Sequence, residues 1–458
     1  MRNKDVRRNI KAIKYLQSRA EDIDLSHDDI RHDIQAIKEK LKSLGDVDES
    51  APHYLTSKQA NLCEMSKQTE LTPVNSETIY NEAEVAFPGQ VSLSDILSQN
   101  DLAIVDERVA AHIRDFDSRY ALDKWDYAIA GGCGLVASML DLLCVKAPVK
   151  PTARWSKRVD GVFNRWVQDA FNATLPPEVS RELGKLHSIH GADASTVAQL
   201  MGAPSGTLNP MNHRLRSLAH DPVLGFLFGV LDMLDGKCTV ISDGRVQRYQ
   251  SVANPLEDSL FSLLGRMFGH LLSDVNAPSA NGNRGMGLPA PFMGVLRMFD
   301  SIPIGDSDLG KQVEYMYIRG YDFRQFVVTS IPMLIMEVMM RVFYAVKHVK
   351  VAGAPLGEAL LGTMPGMMNP KFRMMLAIGY GTVAGVNVGK VYISKNILNL
   401  NYAAWLGLVW NGFHAAKWVL MERHLKLWEE FEQQEVEELE CIVERIEGLV
   451  ERAESLPV

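Results

Sequence analysis

The sequence predicts an all-α fold: a helical bundle, membrane-associated, with a charged amphipathic helix at either end. Two observations carry that prediction. Apolar residues recur at three- and four-residue intervals in both terminal segments, and the long region between them alternates apolar helical stretches with Gly/Pro-rich loops. A third observation, imidazoles and carboxylates at helical spacing inside apolar stretches, bears on function.

In residues 1–45, Ile10, Ile13 and Leu16 are followed by Ile30, Ile34, Ile37 and Leu41. This spacing predicts an amphipathic helix or helical hairpin broken near Ser26, whose hydroxyl can cap the second half with Asp29 three residues on. Residues 46–92 are polar, with Ser, Thr, Asn and Pro and weak periodicity, and read as a linker.

Residues 93–421 form the expected apolar helical core. Ala128–Val145 is apolar except for Ser138 and Asp141, and its Gly131, Gly132 and Gly134 permit close helix approach. Phe326–Val346 is 21 residues long, the length that spans a hydrocarbon core, while Met374–Val388 and Ala403–Leu420 are shorter. The long stretch carries Pro332, Glu337 and Arg341, and the last carries Asn411, His414 and Lys417. Charges at membrane depth usually face a protein interior or a wet cavity, and Glu337 and Arg341, four apart, can pair with each other. A large soluble bundle with its central helices buried on every side fits the same pattern, as does a hairpin that enters one leaflet. Basic flanks at Lys146–Arg158, Lys347–Lys350 and Lys371–Arg373 suit a cytoplasmic face without fixing a topology.

Residues 422–458 change character. From His424 on, eleven glutamates stand against Lys426, Arg445 and Arg452, and apolar residues from Leu439 to Val450 recur at near-heptad spacing. That predicts an acidic amphipathic or coiled-coil helix. It either joins the basic N-terminal helix, within the chain or between copies in a homo-oligomer, or packs solvated on its own domain.

Composition sets outer limits. A chain of 458 residues that is 47% hydrophobic can bury a large core, and a net charge of −8 argues against overall attraction to nucleic acid, local basic patches aside, so no specific nucleic-acid binding is expected. Cys63, Cys133, Cys144, Cys238 and Cys441 are scattered, with no CxxC pair, and read as a reduced intracellular set. No apolar segment follows Met1–Asp5, so no secretory signal is expected.

The candidate site lies in two segments. His270 and Asp274 are four apart among Leu263, Leu264, Met267, Phe268, Leu271 and Leu272, so on a helix they rise from one face. His213 and His220 are seven apart, two turns along one face if the segment is helical throughout, with Arg214 and Arg216 between them. Such groups, held away from water, suit a divalent metal: zinc for mixed imidazole and carboxylate ligands, with manganese or iron as alternatives. A hydrogen-bonded structural His/Asp pair is the competing reading. Arg216, and Arg284 in the Asn276–Gly287 loop, are placed to neutralise a phosphate. His187 and His190 read as a surface pair, and the glycine-dense Gly379–Gly389 as close helix packing, since it lacks the Gly-Lys-Ser/Thr ending of a P-loop.

The order of elements resembles the integral-membrane, predicted metal-dependent hydrolases described as LexA-binding inner-membrane hydrolases. The matching residues are an early Asp141 in an apolar hairpin, His213 to His220, the His-Leu-Leu-x-Asp run His270–Asp274, and the closing loop Gly287 to Phe292. The His-to-His gap is two residues longer than in that family, and Asp221–Pro222 replaces its usual Ser-Leu. The chain also resembles an uncharacterised family from gut-associated bacteria. The resemblance covers roughly residues 125 to 300. It implies metal ligands at Asp141, His213, His220, His270 and Asp274, and a bacterial inner-membrane location with cytoplasmic terminal regions. A cytoplasmic location is the alternative.

Two functions follow as expectations. One is a membrane-associated metal-dependent hydrolase acting on a phosphoester, with membrane lipid as a partner. The other is a non-enzymatic helical membrane or scaffold protein that oligomerises through its terminal helices, as a pore-forming or defence effector does.

Overall fold

Helices dominate the structure, a computed structural model that describes residues 8–9, 11–19, 32, 35, 76–89, 91, 99–148, 161–189, 195–275, 287–304, 307–351 and 353–454. The expected break at Ser26, much of the expected linker, the basic stretch 149–158, His190 and Arg284 lie outside those residues. The chain divides into two compact units, Met1–Asp115 and Phe116–Val458.

In the first unit, residues 11–19 are helical and so is α1 (Ser76–Ala86), which falls inside the stretch expected as linker. The reason is charge and one small contact. Arg8 and Lys11 reach Glu77 and Glu84 at 2.6 and 2.7 Å, Tyr15 donates to Glu82, and Ala83 is buried. The basic N-terminal segment thus has an acidic partner in α1. Helix α2 (Gln99–Tyr120) begins in this unit and contributes its last turn to the second.

The second unit is a four-helix bundle with a smaller site domain inserted after its first helix. The bundle starts with α3 (Lys124–Cys144), capped by Asp123, whose carboxylate accepts from the N–H groups of Trp125 and Asp126 while Asp126 answers at Asp123 N–H. The site domain follows. It contains α4 (Val162–Thr174), α5 (Pro177–Leu186), β1 (Leu200–Met201), α6 (Gly225–Asp235), β2 (Lys237–Ser242), β3 (Arg245–Ser251) and α7 (Leu260–Val275). Beyond it come β4 (Pro303–Ile304), β5 (Ser307–Asp308) and α8 (Leu309–Ile318). The bundle resumes with α9 (Phe323–Val351); the short α10 (Leu356–Leu361) leads to α11 (Pro370–Ser394) and α12 (Tyr402–Lys417). A π-helical turn, Trp418–Glu422, joins α12 to the long α13 (Arg423–Glu454).

Ion pairs fix the direction of each bundle helix. At one end, Asp126 on α3 meets Lys347 near the end of α9 and Lys371 at the start of α11, at 2.5 and 3.2 Å. At the other, Asp141 on α3 meets Lys390 of α11 at 2.8 Å and accepts from Asn401, the N-cap of α12, at 2.8 Å. So α3 and α11 run one way and α9 and α12 the other. The core between them is Ala130, Cys133 and Ala137 of α3, Met333, Met336 and Met340 of α9, and Met375, Leu376 and Val383 of α11.

Helices α3 and α11 approach at Gly134, where a methyl would sit 2.8 Å from the backbone oxygen of Gly379 and from Cβ of Thr382. Nothing lies within 4 Å of such a methyl at Gly131 or Gly132. Among the described residues, two helical stretches, within Leu102–Cys144 and in Phe323–Val351, are long and apolar enough to cross a membrane; a third of each apolar window is buried.

The predominance of helix agrees with the all-α expectation, and the addition is a three-stranded antiparallel sheet in the order β1-β3-β2. Its hairpin pairs Lys237 with Gln250 through Ser242 with Arg245, turning at Asp243 and Gly244, both with positive φ. Asp-Gly after the β-branched run Thr239–Ile241 is a hairpin signal that the reading of this region as helical core passed over.

Candidate metal centre

On α7, Leu263, Met267 and Leu271 recur every fourth residue and bury against Val230 and Met233 of α6. The same periodicity lifts His270 and Asp274 from a neighbouring face, at 4% and 3% exposure. Helix α5 covers the other side. A methyl on Gly269 would overlap the His187 ring, and one on Gly184 would touch Ser273 Oγ at 3.4 Å. His187 is therefore packed on the centre's helix rather than exposed at a surface.

The segment from His213 to His220 is not one helix. His213–Arg216 makes a single turn, Ser217 adopts extended backbone and bridges to Val240 of β2, and Leu218–His220 forms a 3-10 turn. The sheet causes the break, because it takes Ser217 into its edge. Buried Asp232 anchors that hairpin, accepting from the Thr239 N–H at 2.6 Å and from its hydroxyl at 2.5 Å. Burial pushes the Asp232 carboxyl up, against the pull of those hydrogen bonds and of Arg248. The interruption brings His220, fully buried, against α7.

His220, His270 and Asp274 converge. The two Nε2 atoms are 3.3 Å apart, Asp274 Oδ2 is 3.4 Å from His270 Nε2, and it is 3.8 Å from His220 Nε2. Those three atoms lie on a circle of radius about 2.0 Å, the length of a zinc bond to imidazole nitrogen or carboxylate oxygen. Asp274 Oδ2 is buried and accepts no hydrogen bond. The donor set, two imidazoles and one carboxylate from one side, fits a divalent cation with open positions left for water or substrate. His213 stands beside the triad, its ring edge-on to His220 at 5.5 Å between centroids and its Nδ1 3.2 Å from the Pro210 carbonyl oxygen.

The arginine that meets the centre is Arg214, whose Nη2 lies 2.9 Å from Asp274 Oδ1. Arg216, the arginine the sequence points to, is engaged elsewhere. Arg216 points to Glu314 at 2.9 Å and donates to the carbonyl oxygens of Gly206 and Thr207. Glu314 also holds Arg297 and accepts from Asn212. Burial, reinforced by the neighbouring Arg216 charge, brings Arg297 down to about 10. The fork between Arg214 and Arg216 was not legible, because within one helical turn residues two apart face opposite ways.

Asp141 is likewise engaged elsewhere. Lys390 and Asn401 take both of its carboxylate oxygens, and it is absent from the group of converging ligand atoms. A lysine one bundle helix away is its charge partner, which a reading based on motif order had no means to place.

The closing loop ties the triad to the bundle. Leu288 N–H donates to the Asp274 carbonyl oxygen, Phe323 N–H to Leu288, Tyr317 hydroxyl to Gly287 and Tyr402 hydroxyl to Pro291. Complete burial pushes the Tyr317 phenol far above its ordinary range, so it stays a donor. Phe292 sits at φ 60, a left-handed conformation, and its N–H reaches Asp221 Oδ2 at 2.6 Å. Burial raises the Asp221 carboxyl against the N–H groups of Leu224, Val223 and Phe292. No family model, curated protein or solved structure matches the chain.

Proposed function

We propose that the protein is a membrane-associated, metal-dependent hydrolase that acts on a phosphoester. The observation that carries this reading is the convergence of His220, His270 and Asp274 with side-chain atoms 3.3 to 3.8 Å apart. When bound, a divalent ion supplies an acidified water and polarises the attacked ester; zinc suits the donors, and manganese or iron are the alternatives.

The chain's own residues do the rest. Asp274 presents one oxygen to the two imidazoles while Arg214 holds the other, which fixes the carboxylate plane and adds positive charge beside the centre. That charge favours an anionic ester. The buried walls from α6, α7 and the Leu288 loop exclude bulk water. The order of the His, Asp and Pro-rich segments, with its resemblance to integral-membrane hydrolases, supports the same class.

The test is metal content by elemental mass spectrometry on detergent-purified wild type and the His270→Ala/Asp274→Ala variant, matched by circular dichroism. Near-stoichiometric metal lost only in the variant supports the site and justifies a phosphoesterase screen. Equal metal in both, or none in either after metal-supplemented purification, overturns it. The triad is then structural.

A further inference from the structure

The bundle has a property the metal centre does not explain. Residues 127–140, 330–346, 374–389 and 403–413, its four helices between the two end networks, contain only two charged side chains, Glu337 and Arg341. Those two pair with each other at 2.9 Å, and Glu337 accepts from the Tyr380 hydroxyl of α11. Outward-facing positions are apolar on separate helices: Leu135 and Met139 on α3, Leu334 and Val338 on α9, Val409 and Phe413 on α12, all more than half exposed. An apolar surface that continues around several helices is not one patch for one protein partner. In water it would be costly and prone to aggregate.

The charged groups bound this surface on both sides. Asp126 with Lys347 and Lys371 closes one end, and Asp141 with Lys390 closes the other. On α3 the two aspartates are about 22 Å apart, and on α11 the two lysines about 28 Å, at 1.5 Å of rise per residue. A hydrocarbon core is about 30 Å thick, and lysines near its edges extend toward the headgroups.

Resting on the membrane part of the proposed function, we infer that α3, α9, α11 and α12 cross a lipid bilayer and put the metal centre and helix α13 on opposite faces. The site domain leaves from the Asp141 end: Lys146 carbonyl accepts from Gln325 at the head of α9, and the Leu288 loop binds Phe323. Helix α13 leaves from the other. Trp418 stacks on Phe116, Arg423 pairs with Asp117 at 2.6 Å, and Arg119 pairs with Glu430 at 2.8 Å, all beside the start of α3.

The test uses the full chain in sealed vesicles of phosphatidylcholine and phosphatidylglycerol. Cys63, Cys133, Cys144 and Cys238 are replaced by alanine, Cys441 on α13 is kept, and Ser205→Cys adds an exposed thiol to the site domain. A membrane-impermeant maleimide is added outside and, after permeabilisation, a second maleimide of different mass. The inference expects one adduct of each kind on every chain, whichever way it inserted. Two like adducts on one chain, or release of the protein by carbonate without detergent, overturn it.

If the variant does not fold, a glutamate-specific protease added outside vesicles of the wild-type chain gives the same reading. Chains that lose α13 keep the site domain and the reverse, and loss of both overturns the crossing. Neither readout depends on metal. One adduct of each kind on a metal-free protein sinks the hydrolase and leaves the crossing, while two like adducts on a metal-loaded one do the opposite.

Discussion

Arg214 Nη2 and Asp274 Oδ1 meet at 2.9 Å across 60 residues of chain, and this contact leaves Asp274 Oδ2 facing the two imidazoles. The pair divides one carboxylate between a guanidinium and the two imidazoles of His220 and His270. Removing the arginine frees the carboxylate to rotate, so Arg214→Ala should weaken metal binding by about 10- to 100-fold. Arg216→Ala, which strips Glu314 of one partner, should lower the unfolding temperature and leave metal affinity unchanged. Competition titration with a chromophoric chelator measures both, and equal losses of affinity would refute the assignment.

Gly269 is where α5 rests on the helix of the centre. Gly269→Ala forces the His187 ring aside and should cost about 1 to 3 kcal/mol. His187→Ala vacates that space, so the double variant should recover most of the loss in thermal unfolding. Additive costs would mean that the two positions do not meet.

Asp141 and Lys390 are both nearly buried and pair inside the bundle. Lys390→Met strands the carboxylate and should destabilise by about 3 to 5 kcal/mol, whereas Asp141→Leu/Lys390→Met should recover much of that. Metal content should stay at the wild-type level in both variants. Its loss from a folded Asp141→Leu/Lys390→Met protein would return Asp141 to the centre.

Asp123 links stability to pH at the opposite end. Burial raises its carboxyl, but the Lys347 ammonium and the N–H groups of Asp126 and Trp125 outweigh that and hold it at about 2, down from 3.8. A depressed folded value means that the stabilisation is complete above the unfolded value and fades as pH falls from there toward about 2. Asp123→Asn should therefore show a slightly shallower fall in unfolding temperature between pH 5 and pH 2, measured in detergent; the difference is small because Asp123 is half exposed.

Much of this was legible in the sequence. Four-residue spacing put His270 and Asp274 on one side of one helix, and the long apolar run at Phe326–Val346 lies within α9. What was not legible depended on contacts distant in sequence. Ser217 leaves the helical path because a strand more than twenty residues later captures it, and that capture decides where His220 points. Asp141 looked like a ligand by motif order, yet its partner Lys390 lies 249 residues away. Helix α1, inside the expected linker, forms where glutamates meet Arg8 and Lys11 from a separate segment.

The side chains of Asn164 and Gln325 share one hydrogen bond at 3.0 Å and both bind the backbone of Lys146, so the two strands of chain that enter and leave the site domain are stitched together at one point. A segment whose ends are already joined behaves as a cassette. It can be lengthened, trimmed or exchanged between Lys146 and Gln325 without asking the bundle to re-pair its helices, and the chemistry can therefore diverge while the anchor stays the same.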